Sequence, residues 1–179
     1  MRYLSVFVFL FLSILCNAQT SPSLFSKYPI GESTVQIYFP SQPDEVYVDY
    51  SPDSSMVYTT ECTDSSTGQD FQFGAIVVNL QDEIEEELQE DLLVSYMDYL
   101  KESFNIQSTA GYGKGHTLTT HESAKGIIDL WEDEDLQKWE VTGWIAENTI
   151  VVLFEYGPDE YPNKNVIEIF MKGVRFFGD

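Results

Sequence analysis

Gly111-Tyr112-Gly113-Lys114-Gly115-His116 is the segment whose residue types stand out most along this chain. Its glycines allow backbone conformations and close approaches that a Cβ would block. Lys114 and His116 add donors and positive charge to a chain with few basic residues. Two readings follow. The segment is a loop and bulge leading into a strand, or Tyr112, Lys114 and His116 form a partner-binding loop. It is not a P-loop, because the GxxxxGK[ST] spacing is absent, and not a dinucleotide fingerprint, since no helix follows the glycines.

Trp131 and Trp139 flank an acidic turn, Glu132 to Asp135, and lie on consecutive strands with Trp144 on the second. Facing indoles suit a core. The alternative is an exposed aromatic surface that grips a peptide or glycan. Carboxylates near aromatics also suit glycoside hydrolysis, which needs two carboxyl groups about 5 or 6.5–9.5 Å apart. Ser-His-Asp catalysis has no support, since no Gly-x-Ser-x-Gly elbow is present.

Metal chemistry has little to stand on. His116 and His121 are five apart, so on one strand they point to opposite faces. No HxH or HExxH spacing is present. Oxygen ligands cluster at Asp82 to Glu87 and at Glu132 to Asp135, but neither segment has the spacing of a calcium-binding loop. No metal and no cofactor is expected. Cys62, at the end of a strand, has no base near it in sequence and reads as an inert thiol.

The elements that position these groups follow from periodicity. Alternation marks strands at 34–39, 46–50, 56–61 and 70–80. The period then lengthens to about 3.6. A long helix is expected, capped by Asn79, with Ile84, Leu88, Leu92, Tyr96, Tyr99 or Leu100, and Phe104 on its inner face. Further strands are expected at 116–121, 124–131, 136–145 and 149–156, with a tight turn at Glu147-Asn148. A last helix starts at Asn163 or Asn165, buries Val166, Ile167, Phe170 and Met171, and stops at Gly173. Strands joined by short turns, with two helices on the sheet, make an α+β fold with an antiparallel sheet.

The order Phe39-Pro40-x-x-Pro43, paired strands, long helix, meander, and a terminal helix ending Phe170-x-x-Gly173-x-x-Phe176 resembles the PsbP-like fold. The resemblance spans Thr34 to Phe176. It implies an α/β/α sandwich, found in an extrinsic photosystem subunit, a nuclear GTPase-binding protein and small exported bacterial proteins and secretion chaperones. It implies a binding or assembly role and not an enzyme.

Residues 1–18 read as an export signal. Arg2 precedes the apolar run from Leu4 to Leu15, and Ala18 precedes the expected cut. The run is shorter than the roughly 20 residues that span a bilayer. Leu15 before Cys16 disfavours a lipoprotein. Residues 19–33 are expected to be a flexible lead-in and 34–179 a single domain, periplasmic or secreted. Losing Arg2 and no acidic residue moves the net charge from −21 to −22. That excess disfavours nucleic acid and favours basic partners. Loss of Cys16 leaves Cys62 alone, so no internal disulfide forms.

Three functional readings remain. The first is a non-enzymatic exported binding or assembly module with a protein partner. The second is an acidic inhibitor or immunity-type protein for a basic partner. The third is a small hydrolase or sugar-binding protein using carboxylates beside Trp131 and Trp139.

Overall fold

The computed structural model describes residues 25–111 and 113–176. The expected export signal, with its cut after Ala18, lies outside the described residues, as does Tyr112.

Alternating apolar residues build the expected antiparallel sheet. Its strands are β3 (Tyr47–Tyr50), β4 (Met56–Asp64), β5 (Phe71–Asn79), β6 (Ile106–Thr109), β7 (Gly113–Leu118), β8 (His121–Asp133), β9 (Lys138–Ala146) and β10 (Thr149–Gly157). They lie in the order β3-β4-β5-β10-β9-β8-β6, and β7 also pairs with β8. The central strands β5, β9 and β10 are buried on both faces over most of their length. Two layers cover them, so both sides of the pleat carry apolar residues.

One face is covered by α1 (Glu86–Ser103), which buries Gln89, Leu93, Met97 and Leu100 against β8 and β9. This corrects the expected inner stripe in part: Leu100 is buried as expected, and Leu92, Tyr96 and Phe104 are half-buried against the same cluster. Leu88 and Tyr99 are exposed, and the buried face lies about one residue further along. Buried Gln89 is satisfied by donating from Nε2 to the Glu147 carbonyl at 3.3 Å. Asn79 does not cap the helix. It ends β5, opposite Thr149.

The other face is covered by α2 (Lys164–Met171) and by a small antiparallel sheet of β1 (Ser26–Pro29), β2 (Gln36–Phe39) and β11 (Val174–Arg175), in the order β1-β2-β11. The Asn163 side chain accepts from the Asn165 amide at 3.2 Å, the expected cap. Val166, Ile167, Phe170 and Met171 are buried as expected. Gly173 sits where a Cβ would meet the Ile169 carbonyl at 2.8 Å, so close approach selects glycine there. The architecture is thus α+β, with helices on both faces of an antiparallel sheet.

The reading of 19–33 as a flexible lead-in is corrected from Ser26 onward. Strand β1 pairs with β2 along its length, and Ile30 is fully buried. The expected single strand from His116 to His121 is also corrected. The chain turns at Thr119 and Thr120, and Leu118 pairs with His121 across a hairpin. No described helix is long and apolar enough to cross a membrane.

Candidate functional site

From Gly113 the glycine-rich segment enters strand β7. Gly111 and Gly115 have φ of +85° and +81°, a region that favours glycine. The β7–β8 register shifts on both sides of His116, as a bulge requires. Lys114 makes an ion pair with Glu90 of α1 at 3.3 Å. His116 and His121 lie on different strands of the hairpin, and the His121 ring packs 5.1 Å from Phe176. Among the described residues no three His, Cys, Asp or Glu side chains are grouped to hold a metal ion.

The two tryptophans do face one another. Trp131 and Trp139 are direct cross-strand partners, with ring centroids 6.5 Å apart. They are only 3% and 8% exposed, which removes them as a gripping surface. Both line the cleft described below and belong to the core cluster shared with α1. Each indole N–H is spent on a carboxylate: Trp131 donates to Asp129 at 2.7 Å and Trp139 to Asp133 at 2.9 Å.

The acidic turn is likewise self-satisfied. Asp133 accepts from the amides of Asp135 and Gln137, both at 3.0 Å, and Glu132 pairs with Lys138. At the other acidic segment, Lys125 reaches the Glu86 carbonyl and lies 3.9 Å from its carboxylate. Cys62 is buried, and burial pushes its thiol pKa up. A thiol held in that form is a poor nucleophile.

A different set of residues forms the site with unspent chemistry. Between α2 and the sheet lies a cleft of about 790 Å³. Ile128 and Leu130 of β8, Trp144 of β9, and Ile167 and Met171 of α2 supply apolar wall. Trp144 fixes that wall to the helix, because its Nε1 donates to the Met171 carbonyl at 2.8 Å. Glu140 and Thr142 of β9 and Glu155 of β10 border the same cleft.

These polar groups are placed by register. Glu140 and Glu155 are direct cross-strand partners, and Thr142 lies two residues along β9 on the same face. Glu155 is 3% exposed and Thr142 fully buried, yet among the described residues Glu155 Oε1 and Thr142 Oγ1 have no hydrogen-bond partner. A buried polar atom left unpaired costs about 1–3 kcal/mol. Burial, with the Glu140 charge adding to it, raises the Glu155 pKa to about 8. Glu140 is raised by burial too, against the pull of Lys164 and with a further push from Glu160.

Neither carboxylate was singled out by sequence. The signal was there in Glu155, the single charge in the apolar run from Ile150 to Tyr156. A charge inside a doubly buried strand needs a partner or a purpose. No family model matches this chain, and no curated protein matches it.

Proposed function

We propose that this chain is an exported, non-enzymatic binding module whose ligand seat is the cleft between the sheet and α2. One observation carries the reading: Glu155 Oε1 and Thr142 Oγ1 are buried, unpartnered, and border a cleft large enough for a small ligand. The apolar wall supplies contact area, and the few polar groups supply orientation. The export signal expected at residues 1–18, the likeness to the PsbP-like fold and the acidic surface agree with a partner met outside the cytoplasm. The large negative charge would speed encounter with a basic one.

A second reading rests on the same carboxylates. Glu140 and Glu155 face one another with raised pKa values, an arrangement that could serve acid–base hydrolysis of a glycoside. Two measurements separate the readings. A fragment library screened by NMR should shift the amides of Thr142, Trp144 and Glu155. A panel of nitrophenyl glycosides should show no turnover above buffer. Turnover lost in Glu155→Gln would establish the hydrolase, and a screen leaving those amides unmoved would refute the cleft as a seat.

A further inference from the structure

We propose that the cleft seats a primary ammonium group, held by Glu155, Thr142 and Glu140, with its apolar chain lying along Trp144 and α2. This rests on the reading of the cleft as the ligand seat and names the chemistry that fills it. The three side chains occupy one patch of one sheet face. Directly opposed residues of an antiparallel pair have Cβ atoms about 5 Å apart, and diagonal neighbours lie within about 7–8 Å. Glu140 and Glu155 stand in the first relation, and Thr142 and Glu155 in the second. One small group can therefore touch all three.

The patch is rich in acceptors. An ionised carboxylate only accepts, and a hydroxyl can accept through two lone pairs. An ammonium has three donors and no acceptor, and its donors diverge in three directions. It can thus serve a hydroxyl and two carboxylates at once, whereas the planar guanidinium fork suits a single carboxylate. Charge points the same way. Two carboxylates facing one another in a buried setting repel, and a cation between them turns repulsion into attraction. An anion would be driven off.

Among the described residues, the cations that border the cleft are engaged elsewhere. Lys138 is paired with Glu132 and Lys172 with Glu168 at 2.8 Å, each at the border of the cleft. Lys164 acts on Glu140, and Glu160 opposes it. Glu155 Oε1 still has no partner. Tyr161, the remaining titratable neighbour, donates its hydroxyl to Asp64. Burial and the facing Glu140 charge raise the Glu155 pKa to about 8, so a cation that seats on the ionised pair draws the proton the pair shares off to solvent. Binding is then coupled to release of up to one proton.

The ammonium could belong to a free amine or to a lysine side chain of a basic partner. Both arms are tested with the full domain in 0.15 M salt. Binding of n-hexylamine, n-hexanol, hexanoate and the capped peptide Ala-Lys-Ala is followed by calorimetry in two buffers of different ionisation heat and by amide shifts. The amine or the lysine peptide should bind at least tenfold more tightly than the alcohol, release a proton at pH 7, and shift Thr142 and Glu155. Whichever of the two binds more tightly identifies the source. Hexanoate should not bind. Glu155→Gln should weaken the amine about tenfold and abolish proton release, and Thr142→Val should weaken it less.

Equal affinity for hexanol and hexylamine, with shifts at the cleft, would overturn the ammonium assignment and leave the seat standing. Amine-induced shifts confined to the exposed acidic surface would overturn it as well. No cleft shift with any of the four probes, together with silence in the fragment screen, would overturn the seat itself. The comparison of probes on the unaltered protein does not depend on either variant folding.

Discussion

Gly126 on β8 lies directly opposite Trp144 on β9, and the indole fills the space a side chain would take. A Cβ at Gly126 would sit 2.1 Å from Trp144 Cζ3. The same relation recurs one strand over, where a Cβ at Gly74 would sit 2.2 Å from the ring of its partner Phe154. Small opposite large is how the pleat accommodates aromatics on a doubly covered sheet. Trp144 cannot swing away, because its indole N–H is held by the Met171 carbonyl and its ring forms cleft wall. Gly126→Ala should therefore destabilise the fold by about 2–3 kcal/mol, in the range of overpacked cores. Urea unfolding checks this, and an unchanged midpoint would show that the indole has room to move.

The helix α1 is tied to the sheet by charge as well as by packing. Lys101 Nζ lies 2.9 Å from Asp129 Oδ2, the oxygen that also accepts from the Trp131 indole. The ammonium sits 5.7 Å from the Trp131 ring centroid, within reach of a cation–π contact. The Asp129 side chain has no exposed surface. Removing one partner of a buried pair strands the other charge, at a cost of about 3–5 kcal/mol. Lys101→Met should fall in that range. The double variant Lys101→Met with Asp129→Asn should recover much of the loss, and thermal unfolding of the single and double variants reads both.

How far the residues announced this structure depends on whether the signal was local. The strands around Phe71, Val141 and Val151 alternate or run apolar over nine residues each, and they formed where the pattern placed them. Asn163 capped its helix because a cap is a contact between near neighbours. The pattern alone does not choose the buried face of α1, because the chain offers apolar residues at both Leu92 and Leu93, and at Tyr96 alongside Met97. The choice between the stripes was made by the sheet and by Gln89, which found the Glu147 carbonyl. Strands β1 and β11 are only four and two residues long and both pair with β2, so little in their own sequence marks them. The cleft was least legible of all. Glu140, Thr142 and Glu155 become neighbours only through the β9–β10 register, and α2 arrives over them from further along the chain.

The segment leading into α2 is anchored by a second buried acid. Tyr161 donates its hydroxyl to Asp64 at the end of β4, and Asp64 also accepts from the amide and hydroxyl of Ser66 at 2.9 and 3.0 Å. Burial alone would push the Asp64 pKa up, but these donors outweigh it and hold it low. Tyr161 packs edge-on against Phe71 and Phe73, with centroids 4.9 and 5.3 Å away. Tyr161→Phe keeps the ring and removes one donor to a charge, a loss of about 1.5–3 kcal/mol. Because Tyr161 borders the cleft, the same variant should loosen α2 locally. Faster amide exchange at Ile167 and Phe170, relative to β5, would register that. Uniform exchange across the domain would mean that α2 is held by its apolar face alone.

Glu155 gives the fold a dependence on pH opposite to that of an ordinary surface acid. Burial raises its pKa from 4.5 to about 8, with the facing Glu140 adding to the shift. The folded protein then holds this proton more tightly than the unfolded chain does. Stability from Glu155 is fully present below 4.5 and drains away as pH climbs through about 8. One proton sets a limiting slope of about 1.4 kcal/mol per pH unit within that window. Glutamine at 155 keeps the shape of the protonated acid but cannot ionise. The difference in unfolding free energy between wild type and Glu155→Gln should therefore shift steadily against wild type from pH 5 to pH 8 and level off above it. Taking the difference cancels the other acids, Glu140 included where its own shift is unchanged. A difference that stays flat across the window would mean that Glu155 is already ionised in the folded protein at neutral pH, with water reaching it through the cleft.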